Sequence, residues 1–398
     1  MSGRSDMTSW RGRQALDLTN GWVCATVLPL GGHLAAWRFA IGEGPTQENT
    51  LWEAPWTTFD PGTPAYAQFA NETGDLGAGR FLGSFTGHAL CLDGFGPASE
   101  ADVAQGSGLH GEASIVSWKF SRTGESSAAG TATLPLAQLS VTREFSLYAG
   151  ESVLRVAERV TNLAESERNV HWVQHATVGQ PMFSGIGAHV TASVQHGVTW
   201  PLGYDGENLL ARGVRFIWPW APRASRGDAD LRELFAQRGT GFVAAAQQTP
   251  GRECGFVAVS DPRQRMAIGY LFATSIFPWV TFWEENQSRL ESPWHGAVSA
   301  RGLEFGTTPL PLGKEAVDAD GPMLGMPTSL RLEAKETRSA PWMLFLAEMP
   351  EGCGELQDVS VGEDEIMVHF ETNTIRLAAA GAADFLHGER RQKKLETP

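Results

Sequence analysis

Residues 139–162 constrain this chain more than any other stretch. Leu139, Val141, Phe145 and Leu147 keep one parity through LSVTREFSL, the two-residue period of a strand with one buried face. The turn Tyr148-Ala149-Gly150-Glu151 then leads into VLRVAERV, which predicts a hairpin. Val153, Val156, Ala157, Val160 and Leu163 of the second arm would equally suit an amphipathic helix, and the hairpin context favours a strand. Similar short runs rich in Val, Ile, Phe, Leu and Trp occur at Val23 to Leu28, Ser114 to Arg122, Gly255 to Val259, Met266 to Phe272, Trp279 to Glu284 and Met343 to Glu348. Long helical patterns are few, so the chain reads as all-β.

Between these runs lie Gly/Pro-rich connections at 42–79, 94–108 and 200–227. They show no regular period, as expected of functional loops that wall a site. The 398 residues suffice for one large core. A formal charge of −14, with no Lys/Arg block in the acidic background, argues against nucleic acid and anionic membranes as partners. Cys24, Cys91, Cys254 and Cys353 lie far apart and read as reduced core residues. The opening segment 1–10 is polar and no run approaches the length of a membrane span, giving the expectation of a cytoplasmic protein.

Three separated segments carry the chemistry-bearing residues: GLHGEASIVSW at 108–118, RVTNLAESERNVHWVQHATVG at 159–179 and ARGLEFGTTP at 300–309. In this order and spacing they resemble the Leu-His-Gly, strand-terminal His and late Leu-Glu segments of the galactose-mutarotase-like (aldose 1-epimerase) superfamily. The resemblance covers about residues 20–350. It implies a β-supersandwich of large antiparallel sheets with a sugar cleft on one concave face, and a small carbohydrate as ligand. The expected organisation is an N-terminal extension or first strand (1–20), one carbohydrate-active domain (21–350) that the resemblance covers, a C-terminal strand or packing segment (351–387) and a flexible tail (388–398) read from its Arg390, Arg391, Lys393 and Lys394, in a monomer or homodimer. Relatives acting on hexose 6-phosphates continue the His-Gly segment to a phosphate-binding Arg, where this chain has Ser114, so a phosphosugar is disfavoured. No motif places the acidic and aromatic residues that contact hydroxyls, which points away from plain galactose or glucose.

Interconverting the anomers of a hemiacetal needs a base for the O1 proton and an acid for the ring oxygen, each worth roughly 10²- to 10⁴-fold. Glu304 is the candidate base and His175 the candidate acid, and no cofactor is required. On the family pattern His110 donates to the ring oxygen or a neighbouring hydroxyl, and Arg80 precedes it where relatives place a substrate-contacting arginine. The plainer readings are a turn histidine for His110, a surface residue for Arg80, and a Glu304 paired with Arg301. His171 and His175 have a zinc-like spacing, but on a strand their Cα atoms stand about 13 Å apart, so no metal is implied. Among 14 tryptophans, Trp37, Trp118 and Trp172 read as structural, whereas Trp218, Trp220, Trp279 and Trp283 lie in or beside loop-like segments. Trp220, Trp279 and Trp283 are the candidates for a sugar-stacking platform. Two other classes remain open: a non-catalytic carbohydrate-binding or sensing protein, and an epimerase or lyase for a modified sugar.

Overall fold

The period-two pattern resolves into two stacked antiparallel sheets. The computed structural model describes residues 7–40, 48–183, 187–204 and 206–388. Within them one sheet has fourteen strands and another nine. Across the centre of the large sheet run His88–Leu92, Trp172–Gly179, Ser299–Gly306, Trp279–Asn286 and Thr240–Gln248, in that spatial order. Its pairings are antiparallel except where Glu207–Asn208 joins Thr240–Gln248. The second sheet contains the expected hairpin, Leu139–Leu147 with Val153–Asn162, in unbroken register from Leu139↔Asn162 to Leu147↔Leu154. The ambiguous second arm is thus a strand, and Leu154, Val156 and Val160 are the residues it buries between the sheets.

Leu90, Trp172, Phe282, Leu303 and Phe305 from one sheet meet Val141, Phe145, Val156, Ile268 and Phe272 from the other in a single core. The Phe272 and Phe305 rings stack across the interface with centroids 4.3 Å apart. Polar groups are buried here too. Arg143 pairs with Glu158, and both Trp172 Nε1 and Gln174 Nε2 donate to the same carboxylate. Arg143 also donates to Gln174 Oε1, 2.8 Å away, and to the Gly32 carbonyl. Every charge in this cluster therefore has a partner, as burial demands.

The outer face of the nine-stranded sheet is covered as well. Ala267, Leu271, Met343 and Phe345 pack under a three-stranded sheet, Leu356–Val361, Glu365–Phe370 and Thr374–Ala378, with the short helix Ala382–Leu386. Strands buried on both sides read as continuous apolar runs, which explains MAIGYLFA at 266–273 and WMLFLAE at 342–348. The expected tail, beyond Gly388, lies outside the described residues.

Two sequence expectations change. Of the run Ser114 to Arg122 only the second half is a strand, Lys119–Gly124, because Trp118 Nε1 donates to the Ala113 carbonyl and Ile115 N to that of Glu112, closing turns. The first two long connections contain helices: Pro64–Glu72, Leu76–Leu82 and Glu100–Gln105. Each opens on a capping side chain, from Thr63, Asp75 and Ser99 respectively. Their brevity, nine residues at most, leaves little helical period to read.

Candidate active site

Strand alternation gives the large sheet a second face, away from the core. Val173, His175 and Thr177 point to it from one strand, and Gly302, Glu304 and Gly306 from the next. The pairs Gln174↔Phe305 and Thr177↔Gly302 set the register that puts His175 opposite Glu304. His175 Nε2 lies 3.5 Å from Glu304 Oε1. Small residues surround the pair: a Cβ on Gly302 would stand 2.4 Å from Glu304 Oε1, so the carboxylate occupies space that only glycine leaves.

His110 reaches the same place from a loop. Its backbone is in the left-handed region, φ 66°, and Gly111 follows at φ 83°. A Cβ on Gly111 would meet the Leu92 carbonyl oxygen at 2.4 Å, which accounts for the Leu-His-Gly sequence. The His110 N–H donates to the Gly96 carbonyl (2.9 Å), and the Gly96 N–H donates back to His110 Nδ1 (3.1 Å). Accepting at Nδ1 puts the proton of the neutral ring on Nε2, which makes that nitrogen a donor. The His110 and His175 ring centroids are 5.1 Å apart.

These three groups line a cavity of about 410 Å³. Its walls are aromatic: Phe81, Phe85, Trp200, Tyr204, Trp283 and Trp294. Phe85 meets the His175 ring edge-on at 5.0 Å. Trp283 Nε1 donates to the Tyr204 hydroxyl, which donates to Glu285 Oε2. The Arg289 guanidinium lies between the Tyr204 and Trp294 rings, 4.8 and 4.7 Å from their centroids. A small polar cluster within apolar walls is the usual make-up of a ligand pocket.

Burial sets the protonation. It raises Glu304 well above the ordinary carboxylate value and lowers His175 to about 4. His110 is also pushed well below the usual imidazole range, by burial and then by the neighbouring His175. Burial thus disfavours the charged form of both groups, pushing the carboxyl up and the imidazole down.

The sequence candidates are not all brought together. Glu304, His175, His110 and Trp283 line the cavity. Arg80 instead donates to the Val103 and Ser107 carbonyls, at 2.7 and 2.6 Å, and ties its helix to the end of Glu100–Gln105. Trp279 is fully buried, donating to the Pro327 carbonyl. Trp220 is exposed on Trp220–Pro222, toward the edge of the large sheet. Arg301 does not pair with Glu304: three residues away on a strand, it faces the core, 3.5 Å from Glu284. His171 Nε2 faces Asp318 Oδ1 at 3.4 Å. Phe81, Phe85, Tyr204, Arg289 and Trp294 were not legible as site residues, since they come from short helices and aperiodic loops. The aperiodic connections 42–79, 94–108 and 200–227, expected to wall a site, do contribute Thr73, Gly96, Pro97, Trp200 and Tyr204 to it.

No family model and no curated relative matches this chain. Solved structures do. A candidate aldose 1-epimerase from Klebsiella pneumoniae is 16% identical, over 86% of this chain and 82% of that one, with a TM-score of 0.57. A galactose mutarotase-like protein from Clostridium acetobutylicum is 11% identical over 86% and 98%, with a TM-score of 0.54. A galactose mutarotase related enzyme from Lactobacillus acidophilus is 12% identical over 85% and 99%, at 0.52. The two stacked sheets of this chain therefore have the galactose mutarotase-like fold.

Proposed function

We propose that the protein is a mutarotase of the aldose 1-epimerase type, acting in the cytoplasm on a small free sugar or sugar derivative. The observation that carries this reading is the buried Glu304–His175 contact of 3.5 Å at the wall of an aromatic cavity, with His110 beside it. Starting from the form with Glu304 ionised and His175 protonated, the placement of the proton that burial leaves less populated, Glu304 takes the O1 proton and His175 gives one to the ring oxygen, so that the C1–O5 bond opens. C1 rotates, and the same two groups reverse roles as the ring closes on the other face. Because the pair exchanges one proton for another, it ends each cycle as it began. His110 donates from Nε2 to the ring oxygen or a neighbouring hydroxyl and holds the sugar. Trp283 offers the apolar side of the sugar a stacking surface.

The test is exchange NMR with a panel of reducing sugars, reading anomer interconversion above the spontaneous rate. Fast exchange on any member that disappears in Glu304→Gln and His175→Ala, both folded, supports the proposal. Sugar binding without exchange in the wild-type protein would instead identify a carbohydrate-binding protein on this fold.

A further inference from the structure

The face that carries Glu304 and His175 does not end at the cavity. Four more strands continue it outward from Trp279–Asn286: Thr240–Gln248, Val194–Thr199, Arg215–Ile217 and Trp220–Pro222. On this extension a second hollow, of about 580 Å³, is floored by His196, Arg215, Ile217 and Gln247 and bounded by Pro322 and Leu324. Ile217 is 63% exposed and is paired in register with Trp220, itself 53% exposed, so both side chains stand on the same face. Gln247 lines the hollow, and its Oε1 is buried without a hydrogen-bond partner. The exposed Trp220 indole, with the Arg232 guanidinium 5.9 Å from its centroid, offers the kind of ring surface on which sugars stack.

We propose that this hollow and Trp220 form a distal subsite for an oligosaccharide whose reducing end occupies the cavity at Glu304, a proposal that rests on the mutarotase reading for the placement of that end. Val243 lines the first cavity and Gln247 the second, four residues apart on one strand, or about 13 Å. Five strand spacings, about 24 Å along the sheet, separate the strand of Glu304 from that of Trp220. Val198, on a strand between these two, packs partly buried with Trp200 and Met323 against the cluster that holds Leu310. One monosaccharide cannot reach both sites, whereas a short chain can.

The experiment is calorimetric titration with reducing tetrasaccharides of glucose, galactose and mannose and with the matching monosaccharides. For at least one pair, the wild-type protein binds the tetrasaccharide about tenfold more tightly than the monosaccharide. Trp220→Ala, with an unchanged thermal transition, brings that ratio to near one, and Trp220→Phe restores most of it. A wild-type ratio near one for every pair, an absence of binding, or a ratio that survives Trp220→Ala overturns the subsite. Anomer exchange of the monosaccharides is read separately. Its absence refutes the mutarotase reading, while a Trp220-dependent ratio would still establish the subsite.

Discussion

Gly302→Ala tests the proposed catalytic geometry without replacing Glu304 or His175. The new Cβ would stand 2.4 Å from Glu304 Oε1, where ordinary contact begins at 3.4 Å, so the carboxylate must retreat by about 1.0 Å (3.4 − 2.4). The next contact, 3.2 Å to the Trp283 Cβ, is tight but needs only a small adjustment. The atom struck is the end of a side chain, so the strand itself is spared. A misplacement of about 1 Å at a reacting group costs on the order of 100-fold. Gly302→Ala should therefore lower the anomer-exchange kcat by roughly 100-fold, with a thermal transition close to that of the wild type. Gly306→Ala on the same strand is the control. Its Cβ would meet the Trp172 carbonyl oxygen at 2.7 Å, an obstacle in the neighbouring backbone, and the expected result is lost stability. Full activity in a folded Gly302→Ala protein would refute the placement of the base.

Further outcomes follow from burial and charge. The reaction needs Glu304 ionised and His175 protonated, one proton on the pair; burial raises the first and lowers the second to about 4, so kcat/KM should be bell-shaped, with the alkaline limb, where the pair loses that proton, above the ordinary carboxylate value, and a rate that only rises with pH would exclude this pair. His33 and His88 are fully buried with depressed pKa values, so the folded state resists the protons that the unfolded chain takes up below about 6.5. Stability from these histidines is present above that pH and is lost as the pH falls, with a slope approaching about 1.4 kcal/mol per pH unit for each, measurable by urea titration. Glu158→Gln leaves the Arg143 charge buried and uncompensated, and should cost about 3–5 kcal/mol in the same assay. Neither chelators nor nicotinamide cofactors should alter the exchange rate, and loss of activity in EDTA would require a metal.

How much was readable depended on period. Strands with one buried face, such as Leu139–Leu147, announce themselves by alternation, and the hairpin turn after it fixed even the ambiguous arm. The triplet His110, His175 and Glu304 was found from motif resemblance, and the sheet register is what puts the last two face to face. The cavity walls escaped because residues such as Tyr204 and Trp294 come from segments whose conformation is set by tertiary contacts. Arg80 shows the limit of analogy by position: its helix points the guanidinium at two carbonyls, an anchoring task that sequence offset cannot reveal.

The strand Trp172–Gly179 has a consequence for assembly. Gln174 on its inner side bonds Glu158 and Arg143, while His175, one residue on, enters the cleft. A slip of one residue would send the imidazole toward buried charges and strand the amide in the cavity, and the ionic cluster would lose its neutral partner. The charges between the sheets thus act as a lock on alignment, so the placement of His175 opposite Glu304 is held from the core side of the sheet, the side away from the cavity.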